Sequence, residues 1–476
     1  MVDEGQKPHA ILVSYPLQGH VNPSVHLAIH LASRGFTITF INTLSIHRRI
    51  IAAAAASSAR SGDIFAGIRH SSGLDIRYAT VSDGLPVGLD RSPHSEQFES
   101  ALLHELSAHV EKAVERLVRD SKPTVTCLIA DTYFVWPGKL AKRYGLSYVS
   151  FWTEAALVFT LYYHMDLLRL NGHFDSLDKR EDEINYIPGV QSIKPKDLTS
   201  YLKQTDTSTL PHQIINRAFD DVRTADYVLC NTIQELEPET ISTLNQKIPF
   251  FAIGPILSHD TDNIISTSLW PESDCTHWLD SRPPGSVLYI SFGSYAHISK
   301  NDLTEIAHGL LLSDVDFLWA LRPGIVGSDE ESPLPEEARQ GRRGLVVEWC
   351  CQRRVLAHEA VGGFLTHCGW NSVLESVWFR VPMLCFPLYT DQFTNRKLVV
   401  DDWEIGMNLC DEGRVDRFEV AENVRKLMNE IGVRVGEVGR VKRVLEKALA
   451  DSGSSEENMG MFVKEMREVD DGVVVV

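Results

Sequence analysis

A chain of 476 residues, with 43% hydrophobic and 23% charged content, has the make-up of a soluble globular protein and length for about two or three domains. Lys and Arg total 46 against 64 Asp and Glu, so the formal charge is −18, which disfavours nucleic acid and anionic membranes as partners. The start MVDEGQKPHA lacks a signal-peptide pattern, no run approaches the ~18 apolar residues of a membrane span, and eight cysteines without a CxxC pair suggest reduced thiols in the cytosol.

Along the chain, AILVSYP (10–16) predicts a buried strand. QGHVNPSVHLAIHLASRG then predicts a turn and a helix, with Asn22 as cap, Pro23 at the first helical position and Gly35 at the stop. FTITFIN (36–42) predicts the next strand, and strand–helix–strand at this spacing means a parallel sheet. TVTCLIA (124–130) predicts a strand ending at Asp131, and PGKLAKRYGL a helix closed by Gly145. LSYVSFW, ADYVLCNT (225–232) and PFFAIGP (249–255) predict three further strands.

Residues 256–273 are polar and contain Pro, which marks them as a linker between an N-terminal domain (1–255) and a second one (274–453). A second α/β series follows: SVLYISFGS (286–294), DFLWALR (316–322) and GLVVEW (344–349). Two halves of this kind predict doubly wound, Rossmann-like parallel-sheet domains facing across a cleft. In the last segment (454–476), Met459, Phe462, Val463 and Met466 share one helical face. That face could dock on either domain.

Residues 349–392 are the most informative stretch: WCCQRRVLAHEAVGGFLTHCGWNSVLESVWFRVPMLCFPLYTDQ. VGGFLT (361–366) predicts a strand, HCG a tight turn, NSVLESVWF a helix opened by a polar cap, and PMLCFP a second buried strand. A helix beginning in such a loop is a ready anion site. Trp349 offers a flat surface for a base, while Glu375, Asp391 and Gln392 suit hydroxyls. Together these groups describe a nucleotide sugar.

This stretch resembles, over its full length, the signature box of plant family 1 UDP-dependent glycosyltransferases. Trp349, Gln352, His358, Gly363, His367, Cys368, Gly369, Trp370, Asn371, Ser372, Glu375, Pro382, Pro387, Asp391 and Gln392 all fall at its spacing. The resemblance implies the two-domain GT-B type of fold, with the last helix crossing back onto the N-terminal domain. It also implies that Trp349, with Cys350 beside it, meets the uracil, and that Gln352 and Glu375 bind ribose hydroxyls. His367, Asn371, Ser372 and the Gly369 backbone would hold the diphosphate, and Trp370, Asp391 and Gln392 would read the hexose. In this family a terminal glutamine accompanies glucose donors, and histidine there accompanies galactose. One departure is Arg380, where the family normally has the glycine that ends the helix.

Outside the box, His20 follows Gly19 at the carboxyl end of the first strand, where doubly wound sheets bind ligands. A neutral imidazole there can take a proton from a hydroxyl near pH 7, although loop histidines are usually just solvated. The GHVNP context resembles the family segment that holds the catalytic base. Asp131 could orient the far ring nitrogen or simply cap the following helix; ADTYF resembles the family's dyad segment. Ser294 resembles a family phosphate contact, with a turn hydroxyl as the plain alternative. Thr153 resembles a threonine that reaches the transferred sugar, but its position alone suits a helix cap.

Asp314-Val315-Asp316 matches the D-x-D metal motif of a different glycosyltransferase fold, but a lone match beginning an apolar strand is weak, and no metal or cofactor is expected. No GxGxxG follows the first strand and no GxSxG occurs, against a dinucleotide enzyme and an α/β-hydrolase. The resemblance therefore implies inverting transfer of glucose from UDP-glucose to a hydroxyl, or a carboxyl, of a small hydrophobic acceptor such as a flavonoid, other phenolic or terpenoid. A monomer in the cytoplasm is expected. The alternatives are another UDP-sugar donor, or a binding protein that has lost catalysis. Tyr15, Phe134, Trp136, Phe151 and Trp152 are compatible with an aromatic acceptor pocket and equally with ordinary core.

Overall fold

A computed structural model describes residues 7–55, 62–91, 94–174, 180–257, 265, 267–326, 334–340, 343–410 and 414–470. The chain divides into a first unit of Met1–Ile193, Lys203–Trp270 and Lys447–Val476, and a second of Lys194–Leu202 and Pro271–Glu446.

The first unit is built on seven strands: β1 (His9–Val13), β2 (Thr37–Thr43), β3 (Ile76–Val81), β4 (Cys127–Asp131), β5 (Ser147–Trp152), β6 (Tyr227–Cys230) and β7 (Phe250–Ala252). They pair in parallel in the order β3-β2-β1-β4-β5-β6-β7. Helices cover a parallel sheet on both faces, which is why β1, β2 and β4 are buried along their whole length. The order reverses between β1 and β4, the point where such sheets open a crevice at their carboxyl ends.

After β1 the helix starts earlier than the proline predicts, spanning Gln18–Ser33 with extended Leu17 as its cap. The Leu17 carbonyl accepts from His20 and Val21, both at 2.9 Å. Pro23 therefore lies inside the helix, where it cannot donate to the carbonyl four residues back. Burial of Val21, Val25 and Ala28 outweighs that local preference. One consequence is that His20 stands in the first helical turn rather than in a loop.

The last helix, Ser454–Asp470, belongs to the first unit. Met459, Phe462, Val463 and Met466 pack there with Phe36, Phe251 and Ile253. The stretch read as a linker differs from expectation. Residues 258–264 and 266 lie outside the described residues, while Ile256, Leu257, Ile265 and Leu269 are buried, and the Arg49 guanidinium lies 4.5 Å over Trp270. Apolar side chains hold these residues to the first unit despite the polar average, so the division falls after Trp270.

The second unit has six strands: β8 (Val287–Ser291), β9 (Asp316–Ala320), β10 (Gly344–Val347), β11 (Val361–Thr366), β12 (Met383–Cys385) and β13 (Gly406–Asn408). They are parallel, in the order β10-β9-β8-β11-β12-β13, with the reversal between β8 and β11. The helix after β11 is Trp370–Phe379, capped by Gly369 rather than by a polar side chain. The D-x-D carboxylates serve the framework. Asp314 is a left-handed helix stop 3.1 Å from Arg343, and Asp316 lies 3.3 Å from Arg282.

Arg380 ends the helix Trp370–Phe379 in the left-handed region, at φ 61. A side chain there costs on the order of 1 kcal/mol relative to glycine. Arg380→Gly is expected to stabilise the fold by a few tenths to ~1 kcal/mol, read as a higher denaturant midpoint. The guanidinium of Arg380 lies against Gly439, and a lower midpoint would mean that this packing outweighs the backbone strain.

Candidate active site

In the first unit the reversal between β1 and β4 places His20 and Asp131 together. His20 Nδ1 lies 2.8 Å from Asp131 Oδ2, with side-chain exposures of 12% and 1%. Because a carboxylate can only accept, Nδ1 carries a proton, and in the neutral imidazole Nε2 is the nitrogen with the lone pair. The other Asp131 oxygen accepts the Tyr133 N–H at 3.0 Å, so the carboxylate is fixed from both sides. It does not cap the next helix, Pro137–Tyr144, whose cap is Trp136.

Thr153 also departs from the capping expectation. Its hydroxyl lies 3.1 Å from His20 Nδ1, and Glu237 instead accepts the N–H groups of Ala156 and Leu157 that open the helix Ala156–Tyr163. Tyr15 and Tyr133 flank the imidazole, with ring centroids 5.3 and 5.5 Å away. The Tyr133 hydroxyl donates to Glu154 at 3.1 Å. Sequence reasoning missed Tyr133, although its place in ADTYF, two residues past Asp131, was the available signal. Tyr15, Phe134, Trp136, Phe151 and Trp152 are buried core residues, which favours their plain reading.

In the second unit the corresponding reversal brings the turn after β8 to the turn after β11. His367 has two glycines close to the Nε2 end of its ring: a Cβ on Gly293 would come within 2.4 Å of it, and one on Gly369 within 2.6 Å. Burial pushes the His367 pKa down to about 4, so the ring is neutral at pH 7. Gly293 takes φ 73 and leads into half-buried Ser294. Buried Arg322 braces this turn through the carbonyls of Tyr295 and Ala296, at 2.9 and 2.5 Å.

The helix start at Trp370, Asn371 and Ser372 gathers backbone N–H dipoles beside His367, a setting that favours a diphosphate. Gln352 Nε2 donates to Ser372 Oγ at 3.0 Å and to Glu375 Oε2 at 2.8 Å, tying the two groups assigned to ribose into one network. Trp349 is half-buried, and its carbonyl accepts the Ser273 N–H at 2.9 Å.

Cys350 and Trp370 turn their side chains inward. Cys350 is buried with its sulfur 3.7 Å from the Tyr289 hydroxyl, so its backbone rather than its thiol is what can meet a nucleotide. The Trp370 ring is buried 6.0 Å from that of Trp403, which leaves its backbone at the helix start as the part suited to a donor.

Asp391 and Gln392 are held at the start of the helix Gln392–Lys397. Asp391 accepts from the Thr390 hydroxyl at 2.6 Å and from Asn395 Nδ2 at 2.5 Å. Gln392 Oε1 accepts the N–H groups of Leu388 and Tyr389, both at 2.9 Å. Two backbone donors fix the orientation of that amide, so its NH₂ is the end that can donate to a sugar hydroxyl.

Comparison with known proteins identifies the family. The family model described as UDP-glucoronosyl and UDP-glucosyl transferase matches residues 272–431. UDP-glycosyltransferase 86A2 of Arabidopsis thaliana is 60% identical over 460 residues, covering 96% of this chain and 94% of the relative. UDP-glycosyltransferase 86A1 of the same plant is 56% identical over 474 residues, covering 98% and 95%. Among solved structures, Medicago truncatula UGT71G1 complexed with UDP-glucose superposes with a TM-score of 0.80 at 25% identity, covering 98% of this chain and all of that one. Phytolacca americana UGT2, complexed with UDP-2fluoro-glucose and pterostilbene, gives 0.77 at 26% identity, covering 96% and 99%.

Fold and site together define a glycosyltransferase of the GT-B type. Within that class the chain belongs to the plant family 1 UDP-glycosyltransferases, enzymes that move a sugar from a UDP-sugar to a small acceptor. Among the described residues no helix is long and apolar enough to cross a membrane.

Proposed function

We propose that this enzyme transfers glucose from UDP-glucose to a hydroxyl of a small hydrophobic acceptor, inverting the anomeric centre and using no metal ion. The observation that carries the chemistry is the 2.8 Å His20–Asp131 bond, which leaves His20 Nε2 as the proton acceptor. That nitrogen takes the proton from the acceptor hydroxyl as its oxygen attacks the anomeric carbon. Asp131 stabilises the imidazolium that forms. UDP departs from the opposite face of the sugar, so a single displacement gives the β-glucoside.

The charge on the leaving diphosphate falls to the dipoles at the Trp370–Ser372 helix start, with neutral His367 and Ser294 beside it. This arrangement supports a reaction without a cation, as do the arginine partners of both D-x-D carboxylates. The half-buried Tyr133 ring beside His20 supports an apolar, aromatic acceptor such as a phenolic or flavonoid. All eight cysteines are free thiols, which supports a reducing, cytosolic setting. The test is an acceptor screen by mass spectrometry with UDP-glucose in the presence of a chelator. Failure of every phenolic and terpenoid alcohol to gain a hexose would reject the proposal.

Glucose preference is assigned to Gln392, whose NH₂ is free of the backbone donors that hold its oxygen. Glucose and galactose differ in the orientation of one hydroxyl. Gln392→His is therefore expected to raise the galactose-to-glucose transfer ratio ~5- to 30-fold, equivalent to ~1–2 kcal/mol in that contact. An unchanged ratio with intact UDP binding would remove Gln392 from sugar recognition.

A further inference from the structure

The chain leaves the first unit after Ile193, lends Lys194–Leu202 to the second, and returns at Lys203. This nine-residue excursion lies along the segment that carries Asp391 and Gln392. The Thr394 hydroxyl donates to the Asp197 carbonyl at 2.7 Å. Arg396 pairs with the buried Asp197 carboxylate and, at 3.1 Å, with Asp401. Tyr201 packs edge-on against Tyr389, with centroids 5.2 Å apart. At the centre is a reciprocal pair of hydrogen bonds. The Ser200 N–H donates to the Thr390 carbonyl at 3.0 Å, and the Thr390 N–H donates to the Ser200 hydroxyl at 2.9 Å.

Thr390 has φ 54, a left-handed backbone that a β-branched residue takes only under constraint. The residues immediately following it are Asp391 and Gln392. We propose that Ser200, supported by Asp197, is a positioning residue for sugar recognition: it holds Thr390 left-handed and so aims the Asp391–Gln392 pair at the hexose. This inference rests on the reading that Asp391 and Gln392 contact the sugar. The bonds described for Asp197, Ser200 and Tyr201 go to Tyr389, Thr390, Thr394 and Arg396, on the segment that carries Asp391 and Gln392. Losing the Ser200 hydroxyl leaves the Thr390 N–H without its acceptor and releases the left-handed turn, disturbing sugar selection while sparing nucleotide binding.

The experiment measures two quantities in Ser200→Ala, Ser200→Thr, Asp197→Asn and Gln392→Ala: the UDP-glucose to UDP-galactose ratio of kcat/KM, and Kd for UDP. Ser200→Ala should lower the ratio ~5- to 30-fold with UDP affinity within ~2-fold, and Ser200→Thr, which keeps the hydroxyl, should recover most of the loss. Asp197→Asn should lower the ratio in the same direction by a smaller factor, and it carries the test if Ser200→Ala does not fold. A wild-type ratio in Ser200→Ala and Asp197→Asn, together with an altered ratio in Gln392→Ala, overturns the positioning role alone. An unaltered ratio in Gln392→Ala overturns the sugar-reading assignment and this inference with it.

Discussion

His20→Ala is expected to slow sugar transfer by ~10²–10⁴-fold while leaving Kd for UDP within ~2-fold, because removing a general base costs that much and the groups proposed to bind the nucleotide belong to the other unit. The imidazole is held by Asp131 at 2.8 Å, approached by Thr153 at 3.1 Å and flanked by two tyrosine rings, so little beyond the base itself is lost with it. Asp131→Asn should be less damaging but not neutral. An amide can still orient the ring, yet it does not stabilise the positive form. Transfer assays under saturating donor, paired with calorimetric titration of UDP, separate the two quantities. Collapse of UDP binding in His20→Ala would make His20 a donor ligand instead.

Gly293→Ala should produce the largest effect on the donor side. The residue sits at φ 73, and an added methyl would come within 2.4 Å of the buried His367 ring. The ring has little room to retreat, since it is buried and Gly369 also approaches its Nε2 end. The substitution therefore combines backbone strain with overpacking, together ~1–3 kcal/mol of destabilisation, and should displace His367 from the position proposed to meet the diphosphate. UDP affinity should fall ~10- to 100-fold by calorimetry, the equivalent of ~1.4–2.8 kcal/mol. Wild-type affinity in a folded Gly293→Ala protein would show that His367 takes no part in holding the nucleotide.

The inner strands of both sheets were legible because parallel strands buried on two faces read as unbroken apolar runs; VGGFLT coincides with β11 residue for residue. The half-buried edge strands β3 and β13 lack such a run and were not predicted. The box was legible as a family signature because its turn, helix start and the residues proposed to face the sugar lie within one stretch of chain. What the sequence hid was non-local. Pro23 suggested a helix start that burial of Val21 and Val25 overrode. The approach of Thr153 to His20 joins residues 133 positions apart. The pairing of Asp197 with Arg396 spans 199 positions, so the return of a first-half segment to the second unit left no periodic trace. Cys350 and Trp370 carried box identities, but the inward direction of their side chains depends on β8 and on Trp403.

The role of His20 is tested most directly by a series of acceptors of graded acidity, from aliphatic alcohols to acidic phenols, assayed with UDP-glucose in wild-type and His20→Ala enzyme. A base matters most where the hydroxyl holds its proton most tightly. The wild-type to variant rate ratio should therefore be largest, ~10²–10⁴, for the aliphatic alcohol and should shrink steadily as the acceptor becomes more acidic. Near wild-type glucosylation of the aliphatic alcohol by His20→Ala, or a ratio independent of acidity, would contradict proton abstraction by His20.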